Sequence, residues 1–108
     1  MQIVINGLTW KVLNANPNSD NLKDSRDVPC FGITSFPRLT IYLRNDQTKA
    51  LYRQTLIHEL VHAYTFSFGV HLYADDNTEE SVCDFFGANA DKIITHANQI
   101  MEKLFRKG

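Results

Sequence analysis

A small antiparallel sheet followed by two long helices, an α+β fold, is what this sequence predicts, and three observations carry the expectation. Apolar residues alternate with polar ones over much of residues 2–44. From residue 46 onward they recur at three- and four-residue intervals in two long stretches. The length of 108 residues leaves room for one domain, spanning 1–108, and for one core.

Each element has a local cause. Ile3 and Ile5 precede Asn6-Gly7, a pair that supplies two positive φ values in a tight turn, and Leu8, Trp10 and Val12 alternate after it. Residues 2–13 are therefore expected as a hairpin. Residues 14–29 turn to Asn, Asp, Ser and Pro, with only Ala15, Leu22 and Val28 apolar. Such a stretch buries too little to order itself, which predicts a mobile surface loop. Two extended pieces, residues 30–36 and 38–44, follow, with Pro37 between them where no ladder donor is needed. In the second, Leu39, Ile41 and Leu43 share one face, and Thr40 and Tyr42 share the other.

A first helix is expected from about residue 46 to 68, capped by Asn45 or Asp46 and ended by Gly69. Ile57, Leu60, Val61, Tyr64 and Phe68 fall on one arc, and Leu51, Thr55, His58 and His62 on another. With apolar residues on most sides, this helix should be the buried centre of the domain. A second helix, from about 78 to 105, starts after Asn77 or Thr78. It gathers Val82, Cys83, Phe86, Ala90, Ile93, Ala97, Ile100, Met101 and Leu104 on a single face and is long enough to wrap the first.

Composition narrows the function. An apolar share of 44%, a charged share of 21% and a formal charge of −1 describe a soluble globular protein. With no basic stripe, neither nucleic acid nor an anionic membrane is an expected partner. The longest uninterrupted apolar run is three residues, as in Ile41-Tyr42-Leu43, too short for a spanning helix or a signal-peptide core. A cytoplasmic protein is the expectation. Cys30 and Cys83 are far apart and form no CxxC, so no disulfide is expected, and Cys83 reads as a small hydrophobe on the second helix.

Residues 58–62 read His-Glu-Leu-Val-His. The i, i+4 spacing sets two imidazoles one turn apart on one side of a helix, able to share a zinc ion, and Glu59 can reach a water on that metal. By composition alone such a triplet arises in about half a per cent of chains like this one. The plainer alternative is a pair of buried histidines satisfied by neighbours. On the second helix Glu80 and Asp84 are again i, i+4 and lie opposite the Val82, Phe86, Ile93 arc. A catalytic zinc takes three protein ligands, and Glu80 completes a His, His, Glu set. Asp84 would accept the free ring N–H of His58 or His62. Against this, Glu80 could close a capping box with Asn77, and Asp84 could be a solvated helix residue. Glu79 is a rival ligand whose i+4 partner is Cys83, on the apolar face.

Other candidates are weaker. The longer HExxHxxGxxH pattern is absent, because Thr65 and Phe68 stand where Gly and His are needed. His71 reads as a loop residue, and His96, about 160° round the second helix from Glu80, as solvent exposed. Tyr42, Tyr64 and Tyr73 could each donate to an oxyanion, and nothing selects one.

Leu56-Ile57-His58-Glu59-Leu60-Val61-His62-Ala63-Tyr64, followed by Glu80-Ser81-Val82-Cys83-Asp84-Phe85-Phe86-Gly87, resembles the small gluzincins of the ImmA/IrrE type found in phages and mobile elements. The resemblance covers roughly residues 31–95 and is specific at the two helices. It implies a minimal zincin-like domain and a zinc metallopeptidase activity, with Glu80 as third ligand and Phe86-Gly87 matching the family's aromatic-small pair. The segment Thr40-Ile41-Tyr42-Leu43 is similar to the edge strand that zincins place beside the metal. Compared with the longer members, a single domain without a further one is the expectation.

The expected function is zinc-dependent hydrolysis of peptide bonds in a protein or peptide substrate. Zinc on His58, His62 and Glu80 lowers the pKa of its water towards ~7, and Glu59 moves the proton to the leaving amine. Residues 38–44, with Thr40, Ile41 and Tyr42, would pair with an extended substrate. The alternative is a non-catalytic, zinc-stabilised protein-binding or regulatory module in which the metal clips two helices together. A third reading is a metal-free helical regulatory domain.

Overall fold

Asn6 and Gly7 turn the hairpin where their sequence places it, with φ of 46° and 83°, in a computed structural model that describes residues 1–70 and 78–105. They join β1 (Gln2–Ile5) to β2 (Leu8–Ala15). The strands pair antiparallel, Ile3 opposite Trp10 and Ile5 opposite Leu8. Two further strands, β3 (Gly32–Ser35) and β4 (Thr40–Arg44), also pair antiparallel. Leu39, at φ 47°, lies in the turn between them, and its carbonyl accepts from Lys11 N at 2.9 Å.

The α+β class is as expected, but the sheet is mixed rather than antiparallel. Its order is β1-β2-β4-β3. β4 enters between β2 and β3 and runs parallel to β2, with Val12 beside Ile41. Local alternation carries no information about which distant strand becomes a neighbour. Parallel, interior strands are covered on both faces, and β4 accordingly buries Thr40, Ile41, Tyr42 and Leu43 together. Ile41 and Leu43 belong to the main core with Trp10, Val12, Leu56, Leu60, Tyr64, Ile93 and Ile100.

The segment 14–29 does not behave as a free loop. It forms a 3-10 turn at Asp20–Leu22, capped by the Ser19 hydroxyl, and Leu22 is fully buried. Arg38 Nη1 reaches both Asn21 Oδ1 (3.4 Å) and the Tyr42 hydroxyl (3.3 Å), so this turn covers the Tyr42 side of the sheet. Farther along, Asp24 accepts from the backbone N–H of Arg26 and Val28 at 2.8 and 3.0 Å. One buried leucine and one Asx-type turn supply the order that average composition hid.

The helix α1 (Lys49–Ser67) is capped by Thr48, whose hydroxyl accepts from Leu51 N at 3.3 Å. Neither Asn45 nor Asp46 caps it. Asp46 is paired with Arg44, and the Asn45 amide donates to Asn16. Gly69 ends the helix as expected, at φ 67°. Instead of being enclosed, α1 buries one stripe, Tyr52, Thr55, Leu56, Glu59, Leu60, Ala63, Tyr64 and Ser67. His58, His62, Phe66 and Phe68 are exposed. Its C-terminus is tied to the hairpin by Trp10 Nε1 donating to Ser67 Oγ at 2.8 Å and by the Asn6 amide donating to the Ser67 carbonyl at 3.0 Å.

The second helix, α2 (Thr78–Leu104), packs on α1 and on β2. Its buried residues are Phe85, Asn89, Ile93, Ala97, Ile100 and Met101. Cys83 and Phe86, expected on that face, are exposed instead. Both cysteines are free. His71, Tyr73 and Asn77 lie outside the described residues. Among the described residues no helix is long and apolar enough to cross a membrane.

Candidate active site

The stripe that α1 buries decides where its chemistry points. Residues 55, 56, 59 and 60 face inward, so residues 58 and 62 stand outside, one turn apart. The His58 and His62 rings lie with centroids 5.0 Å apart and planes at 74°. Both rings border the groove between α1 and β3.

Between them in sequence, Glu59 is turned the other way and is only 7% exposed. Its carboxylate is not orphaned. Thr34 Oγ1, from β3, lies 2.9 Å from Glu59 Oε1 and 3.1 Å from the Glu59 carbonyl oxygen. His58 Nε2 is 3.9 Å from Oε2. A buried carboxylate held by a hydroxyl and open to a groove has the environment of a group that accepts a proton from something bound there.

Close approach of β3 to α1 makes this contact possible. A Cβ on Gly32 would stand 2.7 Å from Thr55 Cγ2 and 3.0 Å from Glu59 Cγ, so only glycine lets the strand lie this near. A cross-brace holds the register. Thr55 donates to Gln47 Oε1 at 2.8 Å, and the Gln47 amide donates to the carbonyls of Arg44 (2.8 Å) and Phe31 (3.2 Å).

The groove has two adjoining parts that share Cys30, Gly32, His58 and Glu59. One, of about 370 Å³, runs toward Leu51 and Phe31. The other, of about 440 Å³, runs toward Thr34, Phe36 and His62. Lys23 and Asp24 rim the second part. The Arg26 guanidinium beside Asp24 holds that carboxyl below its usual range. β3 is bonded to β4 along one side, and among the described residues no strand pairs with its other edge.

Thr40, Ile41 and Tyr42 do not border this groove as a substrate-pairing strand. They lie in β4, whose backbone is bonded to β2 on one side and β3 on the other, leaving no free edge. The strand at the groove is β3. The signal for it was weak: Gly32 and Thr34 share a face at period two, but only the sheet order makes that face the one beside α1.

Glu80 and Asp84, with Glu79, sit exposed in the first two turns of α2. Among the described residues no three His, Cys, Asp or Glu side chains form a group able to hold a metal ion. The structure thus brings His58, His62 and Glu59 together at the groove and does not gather Glu80 with them. Two adjacent, exposed imidazoles at i, i+4 do fit the nitrogen half of a zinc donor set.

His96 is not solvent exposed. It is half-buried, and its Nδ1 lies 2.6 Å from the Tyr64 hydroxyl. Burial pushes the His96 imidazole below its usual value and the Tyr64 phenol above its own. The Tyr64 hydroxyl is thus engaged with the His96 ring, in a bond whose direction follows the ring tautomer, and this removes Tyr64 from the candidate oxyanion donors. Tyr42 is buried in β4, with its hydroxyl near Arg38.

Sequence reasoning passed over Thr34, Gly32 and Cys30, all of which line the groove. No family model, no curated protein and no solved structure matches this chain.

Proposed function

We propose that the chain is a zinc-dependent metallopeptidase acting on a protein or peptide substrate. The observation that carries the reading is the buried Glu59 carboxylate, hydrogen-bonded to Thr34 and opening beside two exposed imidazoles into one groove. On this reading His58 and His62 would hold the metal, Glu80, which the structure does not gather with them, would be the third ligand, and Asp84 would accept a ring N–H from one of the histidines. Zinc, when bound there, polarises the scissile carbonyl and makes water acidic near neutral pH.

The rest is done by the chain. Glu59 takes a proton from the attacking water as its oxygen bonds to the carbonyl carbon, and delivers that proton to the amine nitrogen as the C–N bond breaks. Thr34 keeps the carboxylate aimed. The edge of β3 that no described strand pairs with offers backbone N–H and C=O groups to an extended substrate segment. Two free thiols suit a reducing, cytoplasmic compartment.

The test is zinc content by elemental mass spectrometry beside hydrolysis of a peptide mixture, for wild type and Glu59→Gln. Near one zinc per chain in both, with cleavage only by wild type, supports the reading. Absence of metal under zinc-replete conditions, or a Glu59→Gln protein that cleaves as fast as wild type, overturns it.

A further inference from the structure

Next to His62 the groove ends in an aromatic wall. Phe36, just after β3, and Phe66, one turn beyond His62 on α1, stack with ring centroids 4.9 Å apart and planes 10° from parallel. They are 42% and 45% exposed. The wall is fixed from behind: the fully buried Trp10 meets Phe66 edge-on at 6.1 Å and 87°, and its own Nε1 is held by Ser67. Phe36 lines the same 440 Å³ space as His62, Glu59 and Thr34.

Two large rings left in water beside a reactive carboxylate present apolar surface that an occupant can cover. The nearby charges do not compete for that occupant. Lys23 is already paired with Asp20 and Asp27, and Asp24 with Arg26. A chain laid along the edge of β3 away from β4 presents alternate side chains to the same side, so one of them meets the wall while its neighbours point away.

We propose that Phe36 and Phe66 form a specificity wall that receives one aromatic or large aliphatic side chain of the substrate, close to the bond that is cut. The proposal deepens the peptidase reading and rests on it for the position of the cut. The wall itself is testable without turnover.

The binding test uses zinc-loaded Glu59→Gln protein and fluorescent eleven-residue Gly/Ser/Thr peptides that differ only in a central Phe, Leu, Ser or Asp. The Phe and Leu peptides should bind about tenfold tighter than the Ser and Asp peptides. Phe66→Ala and Phe36→Ala should each erase most of that difference while leaving Ser-peptide binding unchanged. Both rings are half in solvent, so the variants should keep their helical circular dichroism. Equal binding of all four peptides, or a preference that survives both substitutions, overturns the wall even if hydrolysis is found. In a cleavage assay with wild type, an apolar residue should be enriched at one fixed position beside the cut. Cleavage with no such enrichment counts against the wall, whereas a binding preference without any cleavage upholds it and removes the peptidase reading alone.

Discussion

The Thr34 hydroxyl lies 2.9 Å from Glu59 Oε1, and this one bond couples the edge strand to the only buried carboxylate among the described residues of α1. A hydroxyl has a single proton to give, and the carboxylate competes for it with the Glu59 carbonyl at 3.1 Å. The charged acceptor forms the stronger bond. Thr34→Val keeps the shape and removes the donor. If Glu59 acts as proposed, kcat/KM should fall by about 10- to 100-fold with zinc content unchanged, and Thr34→Ser should restore most of it. Steady-state kinetics on one peptide decide this, and a Thr34→Val enzyme as active as wild type would show that the bond does not position Glu59.

Gly32→Ala should destabilise the fold by about 1–3 kcal/mol through overpacking, because its new methyl meets Thr55 Cγ2 at 2.7 Å. Thr55→Ser removes that atom and keeps the hydroxyl that bonds Gln47. The double variant should therefore recover part of the loss, and urea midpoints of the four proteins measure the coupling.

Zinc content separates the candidate third ligands. Glu80→Ala should release the metal and Glu79→Ala should keep it at equal protein concentration. Retention in both would move the third ligand elsewhere, and Asp84→Ala would then be compared in the same assay.

His96 makes stability depend on pH in a known direction. Burial holds its folded pKa below the ordinary value of 6.5, so the unfolded chain takes a proton before the folded one does. The contribution is complete above 6.5 and is lost as pH falls through the lower, folded value. Tyr64 faces the ring from α1, and Asp91 and Lys92 border the same cavity on α2. Urea midpoints should drop between about pH 7 and pH 5. His96→Gln, which keeps an acceptor for the Tyr64 hydroxyl, should flatten that drop, and an unchanged slope would assign it to other groups.

Thr48→Ala removes the hydroxyl that accepts from Leu51 N and should cost about 1 kcal/mol. Alanine at Asn45 should leave helix stability nearly unchanged, in contrast to the expectation that residues 45 or 46 cap the helix. Thermal melts followed at 222 nm compare the two.

Much of the fold was legible wherever the cause was local. Asn6-Gly7 adopts the two positive φ values its turn needs, and Gly69 takes the one that ends α1. The four-residue step from His58 to His62 places both rings on one side because any α-helix does so. Where side chains had a choice of partner, local reading failed. Asp46 is a good cap in isolation, but Arg44 takes its carboxylate. Phe86 matches a helical repeat with Ile93, yet the surface offered by α1 and the sheet buries Phe85 and Asn89 instead.

By itself the sequence determined the Asn6-Gly7 turn, the stop of α1 at Gly69 and the placement of residues 58 and 62 on one side of a helix, since backbone geometry over a few residues sets these. Only the tertiary structure decided that β4 runs inside the sheet, that β3 is the strand beside the groove, and that Thr34 meets Glu59. Those facts depend on contacts between residues 25 or more positions apart in the chain. Their pairing is chosen by which arrangement buries the whole core at once, and no single segment encodes that choice.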